Sequence, residues 1–141
     1  MSYAERNTWV YGAVALACYL GYLAVVVPQL LAGPADAVSY RAPLVISVAA
    51  AIMLGIVGGI VLGLLAPKGE PQADPRDVEI AHLGSRAGQV ALIAGAVVAL
   101  VLAMGTADPF WIANTIYLGF VASAVVSSAT RLLAYRGIGL R

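Results

Sequence analysis

Every fourth residue from Ser47 is small: Ser47, Ala51, Gly55, Gly59 and Gly63. At 3.6 residues per turn these five share one slowly drifting face of an α-helix. The residues between them are mostly Ile, Val, Leu, Met and Ala, with one further glycine at Gly58. The ladder lies inside residues 42–67, which carry no charged side chain, and about 20 apolar residues suffice to cross a bilayer. Small residues at this spacing let a neighbouring helix come close inside lipid, where van der Waals contact rather than the hydrophobic effect drives association. This stretch is therefore expected to be a membrane span with one face suited to close packing.

Three more apolar segments flank it, which makes an all-α chain of four spans at about 8–31, 43–66, 75–104 and 109–135. In this chain 62% of residues are hydrophobic and 11% charged, against about 25% charged in a soluble domain. The 141 residues leave no room for a separate soluble domain, so 1–141 reads as a single integral membrane domain. In helix one, Asn7 or Thr8 is the expected cap, Trp9 and Tyr11 are interfacial aromatics, and Pro28 should bend the last turns. Its start lacks a basic leader, so the segment reads as a retained helix. The hydroxyls of Tyr19 and Tyr22 lie deep and need partners. Gly33 and Pro34 signal a loop, and Pro67 is expected to stop helix two. Asp74 as N-cap, Pro75 at the first helical position and Asp77 three residues past the cap mark the start of helix three. That helix should be about 45 Å long, with its first three turns in water.

Four spans return both termini to one side. That side would hold Arg6, Lys68, Arg76, Arg86, Arg131, Arg136 and Arg141, against Arg41 alone on the other. Positive residues favour the cytoplasmic side, so an inner-membrane protein with cytoplasmic termini is expected, inserted in one orientation. Helix three carries its own small ladder at Gly84, Gly88, Ala91, Gly95 and Ala99. Helix four carries Thr115, Gly119, Ser123 and Ser127. Three ladders suggest a compact antiparallel bundle in lipid with a face left for a second copy, a dimer being the commonest arrangement.

The chemistry is sparse. No Asp, Glu, Lys, Arg or His lies in the four apolar cores, which argues against the intramembrane relay of a proton-coupled exporter. No nucleophile–base pair, metal cluster or phosphate loop is apparent, so neither an enzyme nor a cofactor is expected. A net charge of +1 offers no footprint for nucleic acid. Glu79 and His82 match half of a di-iron Glu-x-x-His motif, but a second pair and further glutamates are missing. The charged stretch holding Asp74, Arg76, Asp77, Glu79, His82 and Arg86 reads either as a solvated extension, its charges paired along the helix, or as a docking helix for a cytoplasmic partner. Asn114, Tyr117, Ser123 and Ser127 on helix four read either as packing groups or as the lining of a polar path for a small solute.

Three stretches, SYAERNTWVYG, DPRDVEIAHLGSRAGQ and FWIANTIYLGFVASA, resemble a family of small four-helix prokaryotic membrane proteins of uncharacterised function, well represented in actinobacteria. The resemblance implies a four-span fold. It also implies a cytoplasmic partner such as a helix-turn-helix regulator, because some relatives look to be encoded beside one. The leading expectation is a homo-oligomeric interaction or regulatory protein that docks such a partner through residues 68–86. The alternative is an oligomeric channel or carrier lined by helix four.

Overall fold

The structure is a computed structural model, and it describes residues 3–66 and 74–137. Pro67, Lys68, the polar segment 68–73 and Arg141 lie outside the described residues. The described chain is all-helical: α1 (Tyr3–Ala32), a single 3-10 turn at Ala35–Ala37, α2 (Arg41–Leu64), α3 (Pro75–Met104) and α4 (Pro109–Tyr135). All four α-helices are long and apolar enough to cross a membrane.

Contacts order the helices across the molecule as α2, α1, α4, α3: α1 touches α2 and α4, and α4 also touches α3. Along α1 and α2, Cys18 meets Ser47, Tyr11 meets Gly55 and Tyr3 meets Gly59 and Gly63. Along α1 and α4, Tyr22 meets Asn114 and Gly12 meets Ser128. Along α3 and α4, Gly84 meets Arg131, Gly88 meets Ser127 and Gly95 meets Gly119. In each pair one number rises as the other falls. The 33–40 connection and the 105–108 turn share one end, where the Tyr40 ring stands edge-on to Phe110 at 5.2 Å.

A buried core of Tyr22, Val26, Val38, Phe110, Tyr117 and Val121 fills that loop end between α1, α2 and α4. At the other end, Ile80 of α3 and Ala134 of α4 are completely buried. The flanks of α2 and α3 expose Ile46, Met53, Ile60, Val90, Val97 and Val101, a surface suited to lipid. α4 has the largest buried share of its apolar stretch, 22% against 11% for each of the other three helices. Both α1 and α3 pack against it.

α1 starts at Tyr3 rather than at an Asn7 or Thr8 cap. Thr8 is inside the helix, buried, and its Oγ1 donates to the Ala4 carbonyl at 2.8 Å. The extra turn is held because the Tyr3 hydroxyl donates to the Gly59 carbonyl of α2 at 3.2 Å. Pro28 sits within α1. One residue on, Gln29 Nε2 donates to the Val25 carbonyl at 3.1 Å, and its Oε1 accepts from Ser39 N at 3.0 Å. A single side chain thus ties the end of α1 to the start of the next span. α2 begins at Arg41, which leaves Pro43 in the first turn, where its missing N–H costs nothing. Between α3 and α4, Thr106 takes a left-handed φ of 54°, while Ala107 N donates to the Leu102 carbonyl at 3.0 Å. That six-to-one bond closes the C-terminus of α3 as a Schellman motif.

Candidate functional site

The small ladder of α2 meets side chains. Tyr3, Asn7 and Tyr11 are four residues apart on α1 and lie against Gly63, Gly59 and Gly55, also four apart. A Cβ at Gly55 would come 3.0 Å from the Tyr11 ring, one at Gly59 3.4 Å from the Tyr11 hydroxyl and 3.7 Å from Asn7 Oδ1, and one at Gly63 3.6 Å from the Tyr3 hydroxyl. The glycines make a slot for two tyrosines. Ser47 is buried, and Ala51 lines an apolar groove with Gly55, Tyr11 and Val121.

Backbones meet instead between α3 and α4. A Cβ at Gly95 would stand 2.7 Å from Gly119 Cα. At Gly88 it would stand 2.8 Å from the Ser123 carbonyl oxygen and 3.0 Å from Ser127 Cβ, and at Gly84 2.9 Å from the Ser127 carbonyl oxygen. Where the glycines fall at this register, the two helices lie against each other directly.

The four groups expected to line a polar path do not share a face. Asn114 and Tyr117 turn towards α1 and α2. The Tyr22 hydroxyl donates to Asn114 Oδ1 at 2.6 Å, and Asn114 Nδ2 donates to the Phe110 carbonyl at 2.8 Å. Ser47 Oγ donates to the Cys18 carbonyl at 2.8 Å, so its single proton is used. The 2.5 Å contact between Ser47 and Tyr117 is therefore a bond donated by the tyrosine. Tyr19 stacks edge-on to Tyr117 at 5.3 Å. Ser123 and Ser127 turn towards Gly88 of α3. Asn114 and Ser123 are nine residues apart, which at 100° per residue puts them on opposite sides of the helix. The Tyr22–Asn114 and Ser47–Tyr117 bonds hold α1, α2 and α4 together where each hydroxyl would otherwise lie unpaired in lipid.

The charged turns of α3 have two faces. On one, Ile80 and Gly84 are buried against α4. Asp77 is held there as well: its Oδ1 accepts from the Tyr135 hydroxyl at 2.9 Å, and its Oδ2 accepts from Asp74 N at 3.4 Å, one arm of a capping box. Ser85 Oγ accepts from Arg131 Nη2 at 3.1 Å. On the other face Arg76, Glu79, His82 and Arg86 are exposed. Among the described residues, none of these four is tied to another side chain by a hydrogen bond or ion pair. The expected pairs along the helix (Arg76 with Glu79, Glu79 with His82, His82 with Arg86) are thus not made. Together Pro75, Val78, Glu79, His82, Leu83 and Arg86 line a recess of about 520 Å³. Val78 and Leu83 are exposed at 45% and 38%. Asp77 belongs to the fold, and Asp74, Arg76, Glu79, His82 and Arg86 face outward.

Tyr3 and Tyr135 carry contacts that the composition alone does not reveal. Tyr3 had a signal, the four-residue spacing it shares with Asn7 and Tyr11 opposite a glycine ladder. Among the described residues no three of His, Cys, Asp and Glu gather as ligands for one metal ion. Comparison with protein-family models, with curated proteins and with solved structures finds no match.

Proposed function

We propose that this chain is a multi-pass inner-membrane protein whose four spans run antiparallel. The first turns of α3 would project into the cytoplasm and dock a soluble protein. The opposite-running contact pairs, the helix lengths and the bias of seven basic residues against one support that topology. α3 has 30 residues, about ten more than a bilayer needs. The surplus falls at the end that also carries Arg131 and the start of α1.

One observation carries the docking reading. The same three turns are clamped to α4 by Ile80, Gly84 and Asp77, while their outer face presents charges without a side-chain partner among the described residues, beside exposed Val78 and Leu83. A solvated extension needs no clamp on one side and gains nothing from exposed apolar groups on the other. A rigid helix with charges around a small apolar centre has the composition of a modest protein interface. A helix-turn-helix regulator is the partner the family resemblance suggests, and a second copy of the chain completes the proposed assembly.

The test is native mass spectrometry of protein extracted gently from its own membranes, with a variant carrying both Arg76→Glu and Arg86→Glu. A homo-oligomer that carries a stoichiometric soluble protein, lost in the variant, supports the reading. A bound protein that the variant retains, or a spectrum showing lipid alone, overturns it.

A further inference from the structure

The end of the bundle that carries both connections has a second recess, of about 230 Å³, lined by Asp36, Val38, Ser39, Tyr40, Arg41, Asp108 and Pro109. At about 30 Å³ per water it has room for roughly eight waters, or for one small polar headgroup. Its walls are fixed from behind. Val38 is buried in the core, Ser39 N–H is held by Gln29, and Tyr40 stacks edge-on to Phe110. The Asp108 carboxylate accepts from Phe110 N at 2.8 Å through Oδ1. Three charges therefore face one preformed space. Among the described residues, Asp36 and Arg41 have no side-chain hydrogen bond or ion pair, and no ion pair uses Asp108.

The mixture of signs selects the ligand. A simple cation would meet Arg41, and a simple anion would meet two carboxylates. A molecule with an anionic and a cationic group a few ångströms apart satisfies all three. Arg41 opens α2, so an anion there gains from the helix N-terminus as well as from the guanidinium. Asp36 and the Oδ2 of Asp108, which takes no hydrogen bond among the described residues, suit a group with several N–H donors. A quaternary ammonium has none and is normally caged by several aromatic rings, whereas Tyr40 is the single aromatic residue of this lining.

The depth points to lipid. Trp111 is 46% exposed and packs edge-on to Phe110 beside the recess, and exposed Trp marks the headgroup level of a bilayer. Val45 and Ile46, one turn past Arg41, are exposed at 64% and 67%, which offers apolar surface for an attached acyl chain. We propose that the recess holds the headgroup of a phosphatidylethanolamine, phosphate against Arg41 and primary ammonium between Asp36 and Asp108. The placement rests on the spans crossing a membrane and is independent of the docking face at the other end.

The experiment titrates full-length protein in detergent with phosphatidylethanolamine, phosphatidylcholine and phosphatidylglycerol of matched chains, read by native mass spectrometry. Phosphatidylethanolamine should be retained about fivefold better than phosphatidylcholine, the upper end for one exposed ion pair. The preference should vanish in Asp36→Asn, whereas Arg41→Gln, which loses the phosphate partner shared by both lipids, should lower retention of phosphatidylethanolamine and phosphatidylcholine together; both positions are exposed. The preference should also fall in Asp108→Asn, which keeps the cap acceptor and hence the fold. Soluble phosphoethanolamine at equal concentration should leave the lipid bound. Equal retention of all three lipids, a preference for phosphatidylglycerol, a preference that survives the Asp36 variant, or retention unchanged in the Arg41 variant would overturn the site. Displacement by soluble phosphoethanolamine would overturn lipid as its occupant.

Discussion

Gly95→Ala should loosen the seam between α3 and α4, and the cost can be worked from the contact. The added Cβ would lie 2.7 Å from Gly119 Cα. Carbon atoms pack best at about 3.5–4.0 Å, so the helices must separate locally by roughly 1 Å. A gap of that size forfeits about a quarter to a half of each neighbouring contact, and the contacts at Gly88 and Gly84 lie on the same seam. In lipid this packing is a main source of helix association. A loss of about 2 kcal/mol follows, within the range of roughly 1–3 for an overpacked site. Gly59→Ala is the matched control, because its Cβ would meet the Tyr11 hydroxyl at an ordinary 3.4 Å. Both variants gain the same helix propensity of about 1 kcal/mol, so the difference between them isolates the steric term. SDS titration in mixed micelles, followed by far-UV circular dichroism, measures that difference. A Gly95→Ala variant as stable as Gly59→Ala would refute the reasoning.

Tyr22→Phe should cost about 0.6–1.7 kcal/mol in the same titration, the range for hydrogen bonds between membrane helices, because Asn114 Oδ1 loses its donor; Ser123→Ala should change stability by less than about 0.5 kcal/mol. Asp77→Ala removes the acceptor for Tyr135 and Asp74, so amide exchange over residues 75–80 should speed up while exchange over 95–104 stays unchanged. Thr106→Gly should stabilise the protein by about 1 kcal/mol, since a β-branched residue at φ 54° carries strain that glycine lacks.

The four apolar helices are legible in the sequence because length and hydropathy leave few other folds for them. What fills each small-residue face is less legible. The ladder at Gly55, Gly59 and Gly63 announces room, but room for a ring and room for a backbone look the same in one dimension. Tyr11 lies against α2, and the backbones meet at Gly95 and Gly119. The first turn of α1 is hidden because Tyr3 gains its reason to be helical only from the Gly59 carbonyl, 56 residues away. The separate faces of Asn114 and Ser123 can be read by counting 100° per residue. Their partners Tyr22 and Gly88 lie on other helices and need the tertiary register. The outward charges of α3 are plain in the sequence, but the withdrawal of Asp77 from that set depends on Tyr135.

The proposed topology puts the two ends of the bundle on opposite sides of a membrane, and paired cysteine labelling tests that directly. Cys18, the single cysteine, is replaced by serine, and Ala37→Cys or His82→Cys is introduced at exposed positions. A membrane-impermeant maleimide should label the Ala37→Cys protein in intact cells and the His82→Cys protein only after permeabilisation. Labelling of both from the same side, or of each to half its amount, would contradict the account.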